Sequence, residues 1–173
     1  GGLSLSCTKL ADVLSRKHTV EIADSTAQPI LTASDGALTH LRHSIGMEYK
    51  LKTEVEKYKD YDVVIGFGGN FNGYYASLLA YKINAKYVLS LRGSDINLSK
   101  WSAETNWYSH KAIDNADKIV VLSNEMKNNV LLVSPSAKNK ITIIPNVFED
   151  KQSKIAFPNL PSSITLGCAA SYL

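Results

Sequence analysis

Hydrophobic positions along the chain follow two alternating periods. Leu3, Cys7, Leu10, Ala11 and Leu14 fall at helical spacing, which predicts a helix almost from the first residue. The run HTVEIAD (18–24) then reads as a strand, and 25–43 has no clear period and is expected to be irregular or to hold one short strand. From 45 onward the alternation is regular. A helix is predicted over 45–59, with Glu54 and Glu56 placed to meet lysines on neighbouring turns. Strands are predicted at 62–67, 86–91, 118–122 and 140–144, separated by helices at 73–83, 103–115 and 124–133. Strands that are β-branched throughout and alternate with helices indicate a parallel sheet covered on both faces, a Rossmann-like three-layer α/β domain.

The ends of the pattern suggest a partial sequence. A helix that packs on a parallel sheet normally follows a strand, and a right-handed crossover needs a strand on each side. A strand is therefore expected before Gly1 and is missing. After the loop at 158–163, ITLGCAASYL begins another apolar strand. The expected organisation is one domain over 1–157, then a linker and the truncated start of a second domain over 158–173.

Composition narrows the class without deciding it. With 173 residues, 45% hydrophobic and 20% charged, the chain can bury one ordinary core. A net charge of +3 with no dense run of lysine or arginine does not favour nucleic acid as a partner. No stretch approaches the roughly 20 apolar residues that span a bilayer, and the first residues carry neither the basic start nor the uninterrupted apolar core of a signal peptide. A cytoplasmic protein is expected, with peripheral contact at the inner membrane face left open by the positive excess. Cys7 and Cys168 lie in apolar segments near opposite ends, which fits buried thiols in a reducing compartment.

The candidate chemistry sits in turns after the apolar runs. LRGSDIN (91–97), ADKIVVLSNEM (116–126) and KITIIPNVFED (140–150) each join a β-branched run to a small or polar turn, as a parallel sheet does where its carboxyl edge meets a ligand. Gly1 and Gly2 open onto a helix N-terminus, where backbone N–H groups attract an anion and the missing Cβ atoms let a diphosphate approach; a plain tight turn is the bland alternative. Arg92, Gly93, Ser94 and Asp95 would enter the crevice, Asp95 to bind a ligand hydroxyl, Arg92 to meet a phosphate or another anionic group. A surface aspartate capping a turn and paired with the arginine is the competing reading.

Gly66, Gly68 and Gly69 follow a strand and precede a helix, so a dinucleotide fingerprint has to be weighed. Phe71 holds its third glycine position, and Arg92 stands where an acidic ribose partner belongs, which would suit NADP. Asn70 offers an amide to a hydroxylated ligand, or else Asn70 and Asn72 cap the next helix. Ser123 caps the helix at 124–133 first and contacts ligand second. Asn146, after Pro145, shapes the chain's crossing to the next domain. Trp101, Trp107 and Tyr108 form either a wall for a ligand or core packing. His40 and His43 stand three apart without acidic company and His18 and His110 are isolated, so no metal site is expected.

Taken together these phrases resemble one enzyme family, the retaining nucleotide-sugar glycosyltransferases with two facing Rossmann-like domains (the GT-B fold), and within it glycosyltransferase family 4. The resemblance rests on Gly1 and Gly2; on Gly93, Ser94 and Asp95; on Ala116, Asp117 and Ser123; and on Ile144, Pro145 and Asn146. It implies the N-terminal, acceptor-side half of such an enzyme, inactive alone, with a C-terminal domain that holds a UDP- or GDP-linked sugar and with no metal or cofactor. It implies transfer with retention to a glycan or lipid-linked acceptor, in cell-surface polysaccharide or lipopolysaccharide synthesis. By the same resemblance Gly1 and Gly2 face the donor diphosphate, Arg92 and Asp95 are catalytic, and Gly69, Asn70, Gly93, Ser94 and Ser123 line the acceptor side. The family pattern usually has histidine where Arg92 stands, so a neutral-pH proton shuttle is replaced by a permanent cation. An NADP-binding oxidoreductase and a non-catalytic sugar-binding domain are the other classes weighed.

Overall fold

The structure, a computed structural model, describes residues 2–23, 36–97 and 103–146. In chain order the elements are α1 (Gly2–Leu14), α2 (Gly36–Tyr58), β1 (Val63–Phe67), α3 (Phe71–Ile83), β2 (Lys86–Ser90), α4 (Ser94–Asn97), α5 (Ala103–Asn115), β3 (Lys118–Val121), α6 (Asn124–Val133), a 3-10 turn (Pro135–Asn139) and β4 (Ile141–Ile143). The four strands form one all-parallel sheet in the order β1-β2-β3-β4. This is the Rossmann-like α/β architecture expected from the alternation of periods.

The register places Gly66, Leu89, Ile119 and Ile141 in one row across the sheet. Leu89 and Ile119 are wholly buried there, against Ala76 and Ala80 of α3, Ala112 and Ile113 of α5, and Met126 and Val130 of α6. Strands laid down in sequence order with right-handed crossovers put their connecting helices on the same side, which is why these three share one core. On the opposite face Val63 and Ile65 are 47% and 37% exposed, so among the described residues the two-sided cover expected from the sequence is incomplete. Outside α3 lies α2, where Met47, Leu51 and Tyr58 pack on Tyr75 and Leu79 in a second apolar cluster.

Close approach of α3 to the sheet depends on small residues. A Cβ on Gly73 would stand 2.4 Å from the Gly68 carbonyl oxygen and 3.0 Å from Leu89 Cδ1, and one on Gly66 would stand 2.9 Å from the Tyr87 hydroxyl. That hydroxyl donates to the Gly73 carbonyl at 2.7 Å, which further ties helix to strand. Asp117, in the Ala-Asp phrase, has a structural task. Its carboxylate accepts the Tyr87 N–H at 2.9 Å and lies 3.6 Å from Lys86 Nζ, locking the entry of β3 to that of β2.

Several expectations are corrected. The described part of 18–24 forms no strand; instead Glu21 pairs with Lys57 and accepts from the hydroxyls of Tyr58 (3.4 Å) and Tyr61 (3.2 Å). A strand needs a pairing edge, and this segment has taken side-chain anchors on α2 in its place. The helix expected from 45 starts at Gly36, so His40 and His43 are helical, and α4 and the 3-10 turn were not anticipated. The lysine pairings hold, Lys50 with Glu54 at 3.7 Å and Lys59 with Glu56 at 3.2 Å. Gly1, Trp101, Cys168 and the second domain expected at 158–173 lie outside the described residues.

Gly73→Ala is expected to destabilise the fold by about 1–3 kcal/mol, because the added methyl meets backbone that cannot yield. That loss exceeds the helix-propensity gain of about 0.5–1 kcal/mol. Urea unfolding would show a lower midpoint at unchanged slope. Asp117 generates a pH prediction. The Tyr87 N–H, aided by Lys86 and against the opposing effect of burial, holds its carboxyl below the ordinary carboxylate value. Its stabilisation is complete above the unfolded value of about 3.9 and disappears as pH falls through the lower folded value. Stability measured from pH 5 downward should fall less steeply in Asp117→Asn than in the parent.

Candidate active site

In an all-parallel sheet the loop after every strand leaves from the same edge. Main-chain hydrogen bonds continue past the strand ends and fix where those loops start: Gly68 N–H to Ser90 O at 2.9 Å, Leu91 N–H to Val120 O at 2.9 Å, and Ile144 N–H to Val121 O at 2.8 Å. Gly69 and Asn70 after β1, Arg92 to Asp95 after β2, Ser123 after β3 and Asn146 after β4 therefore stand along one rim.

Asp95 joins the first two of these loops. It is 5% exposed, and its carboxylate accepts three backbone N–H groups, from Gly69 at 2.9 Å, Arg92 at 3.1 Å and Gly93 at 2.8 Å. The convergence of Arg92 and Gly93 N–H groups on one carboxylate requires a sharp turn, and Gly93 supplies it at φ +125°, a conformation that side chains disfavour. Among the described residues nothing lies within 4 Å of the position a Gly93 Cβ would occupy, so they leave this side of the turn open. Gly69 is the reverse case: a Cβ there would sit 2.8 Å from Leu91 Cδ2. Its N–H is taken by Asp95, and that of Gly68 by Ser90. The glycines that suggested a dinucleotide fingerprint thus serve packing and the clamp, and these two donors are not offered to a pyrophosphate.

Among the described residues Arg92 is held sideways rather than paired with an acid. Its Cζ lies 4.4 Å from the centroid of the Phe67 ring, and Nη1 donates to Asn146 Oδ1 at 3.1 Å. Nε is buried with no partner among the described residues. Burial lowers the guanidinium pKa from its ordinary value, with the charge of Asp95 acting against that shift. The half-buried Cys7 thiol is raised by burial and pulled back by the charge of Arg92.

Two further rim residues behave differently from each other. Asn70 occupies the N-cap position of α3 but makes no side-chain cap bond; its Oδ1 accepts from the hydroxyl of Ser109, wholly buried on α5, at 3.2 Å. Ser109 was not singled out in the sequence, since a lone serine in a helix carries no signal until its partner across the fold is known. Ser123 does cap, accepting the Met126 N–H at 3.2 Å. Ser94 opens α4. Tyr108 is core, edge-on to Phe71 at 5.7 Å, while Trp107 lies 49% exposed against Tyr74 at 5.2 Å. His110 pairs with Asp114 at 2.9 Å on the surface.

Residues 1–152 match the family model of Glycosyltransferase Family 4, and the chain belongs to that family. It is accordingly a glycosyltransferase domain, which works between a sugar donor and an acceptor. No curated protein and no solved structure compared with the chain matches it. Among the described residues no helix is long and apolar enough to cross a membrane.

Asp95→Ala should lower stability by at least about 2 kcal/mol, since each stranded N–H costs about 1–3 kcal/mol. Asp95→Asn, which keeps one accepting oxygen, should fall between. Chemical denaturation gives the totals. Amide exchange should quicken first at Gly69 and Gly93, and unchanged exchange there would deny the clamp.

Proposed function

We propose that this chain is the N-terminal, acceptor-side half of a two-domain retaining glycosyltransferase that moves a sugar from a UDP- or GDP-linked donor to a glycan or lipid-linked acceptor. Family membership supports transfer in general. The observation that carries the rest is the rim, where loops from adjacent parallel strands are tied by one carboxylate and leave, among the described residues, an open side at Gly93. On this reading Gly1 and Gly2 face the donor diphosphate, Arg92 brings a permanent cation to the crevice, and Asn70, Gly93, Ser94 and Ser123 line the acceptor side. Asp95 acts by positioning, because both of its oxygens already face backbone donors. Gly69 contributes through the clamp.

A second Rossmann-like domain would close across this rim and hold the nucleotide, excluding water so that the donor is transferred rather than hydrolysed. The reaction needs no metal or redox cofactor in this reading. The setting is cell-surface polysaccharide or lipopolysaccharide synthesis, in the cytoplasm with peripheral contact at the inner membrane face. No particular observation favours the NADP-binding or the non-catalytic reading.

The test is transfer by the complete protein with a panel of UDP- and GDP-sugars against glycan and lipid-linked acceptors. Mass spectrometry should show addition of one sugar, and NMR of the product should show the anomeric configuration of the donor. An inverted product would exclude retention. Binding of donor and acceptor with no transfer would favour the non-catalytic class.

A further inference from the structure

We propose that Arg92 is a receptor for an oxyanion carried by one of the substrates, a phosphate ester or a carboxylate, with the Phe67 ring as its shelf and Asn146 as the stop that fixes its angle. The proposal rests on the glycosyltransferase reading and adds a chemical class to the substrate.

An arginine with a structural task usually meets a carboxylate, because pairing compensates the loss of water around its charge. The nearest candidate is Asp95, and its carboxylate is occupied by the backbone N–H groups of Gly69, Arg92 and Gly93. Among the described residues no acid stands within salt-bridge distance of the guanidinium. What holds it is a ring face at 4.4 Å and a neutral amide oxygen at 3.1 Å. Both immobilise the planar fork, and neither cancels its charge.

The donor inventory points the same way. Nε is fully covered and has no partner among the described residues, which alone do not satisfy this side chain. Nη2 also lacks a partner among the described residues, yet it is not among the closed-off atoms. The edge formed by Nη1 and Nη2 is therefore where a ligand can meet the group. An oxyanion on that edge supplies paired acceptors and the missing negative charge together, whereas a neutral sugar hydroxyl supplies only an acceptor. Burial, which already disfavours the charged form, makes an incoming anion more strongly held than it would be in water.

The experiment uses the complete protein. The Nε–H resonance of Arg92, assigned by its loss in Arg92→Lys, should shift saturably with inorganic phosphate and not with chloride at equal ionic strength. In kinetics, Arg92→Gln should raise KM about 10- to 100-fold for the substrate that carries the oxyanion, the scale of a lost hydrogen bond to a charged group. Arg92→Lys should recover part of this, as a charge without the fork. Acceptors with and without their phosphate or carboxylate, and donors bearing hexose or hexuronate, identify the source. A preference for the anionic partner that vanishes in Arg92→Gln assigns the oxyanion to that partner.

A resonance unmoved by phosphate, with Arg92→Gln within twofold of the parent on every substrate, would overturn the receptor. A protein that transfers no sugar while the resonance still answers to phosphate would remove the glycosyltransferase reading and leave the receptor standing.

Discussion

A carboxylate removed from water is among the most costly groups a protein can hold unless donors surround it. Asp95 is such a group, and the rim of this sheet is organised around satisfying it. Three backbone N–H groups from two loops do so with charge-assisted hydrogen bonds, each stronger than a neutral one. The loops after β1 and β2 are thereby held at fixed separation, and the turn that brings two successive N–H groups onto one carboxylate needs the positive φ of Gly93. Because backbone donors occupy Asp95, the neighbouring guanidinium has to rest elsewhere. It lies on Phe67 and against Asn146, which leaves its Nε without a partner among the described residues.

That clamp works only if the layers beneath it are close. Gly73 lets α3 approach the loop that carries Gly68, and Gly66 leaves room for the Tyr87 hydroxyl that reaches the Gly73 carbonyl. Gly69, tight against Leu91, is drawn to where its N–H meets Asp95. These glycines resemble a ligand cradle when read along the chain, but they are spaced by the packing of a helix on a strand. The Ala-Asp phrase has a similar character: Ala116 is buried in the core and Asp117 secures β2 to β3, so both serve architecture.

Much of the fold was legible before any coordinates. From 62 to 144 each strand was read nearly at its observed limits, and α6 at its observed limits, because β-branched runs and helical spacing are properties of neighbouring residues. Failures occurred where the deciding contact was distant. The run at 18–24 has a strand's composition, but a strand exists only beside another strand, and Glu21 is instead anchored by α2. The early start of α2 escaped notice although Leu38, Leu41 and Ile45 stand at helical spacing, because Pro29 and Gly36 in the same stretch read as breakers. The short α4 follows from the turn that Asp95 tightens, a consequence of tertiary contacts.

For the site, the chain alone determined which residues share a rim, since parallel connectivity sends every strand's following loop to one edge, and residues 1–152 carry the match to the family. Only the folded arrangement decided how each polar group is engaged. Asp95 clamps, Asn70 turns from capping toward Ser109, Ser123 caps, and Arg92 keeps unused donors. The reason is physical: a hydrogen bond is set by distance and angle in space, and the partners of Asp95, Asn70 and Arg92 include Gly69, Ser109 and Asn146, residues far away in sequence that meet only when the sheet has formed.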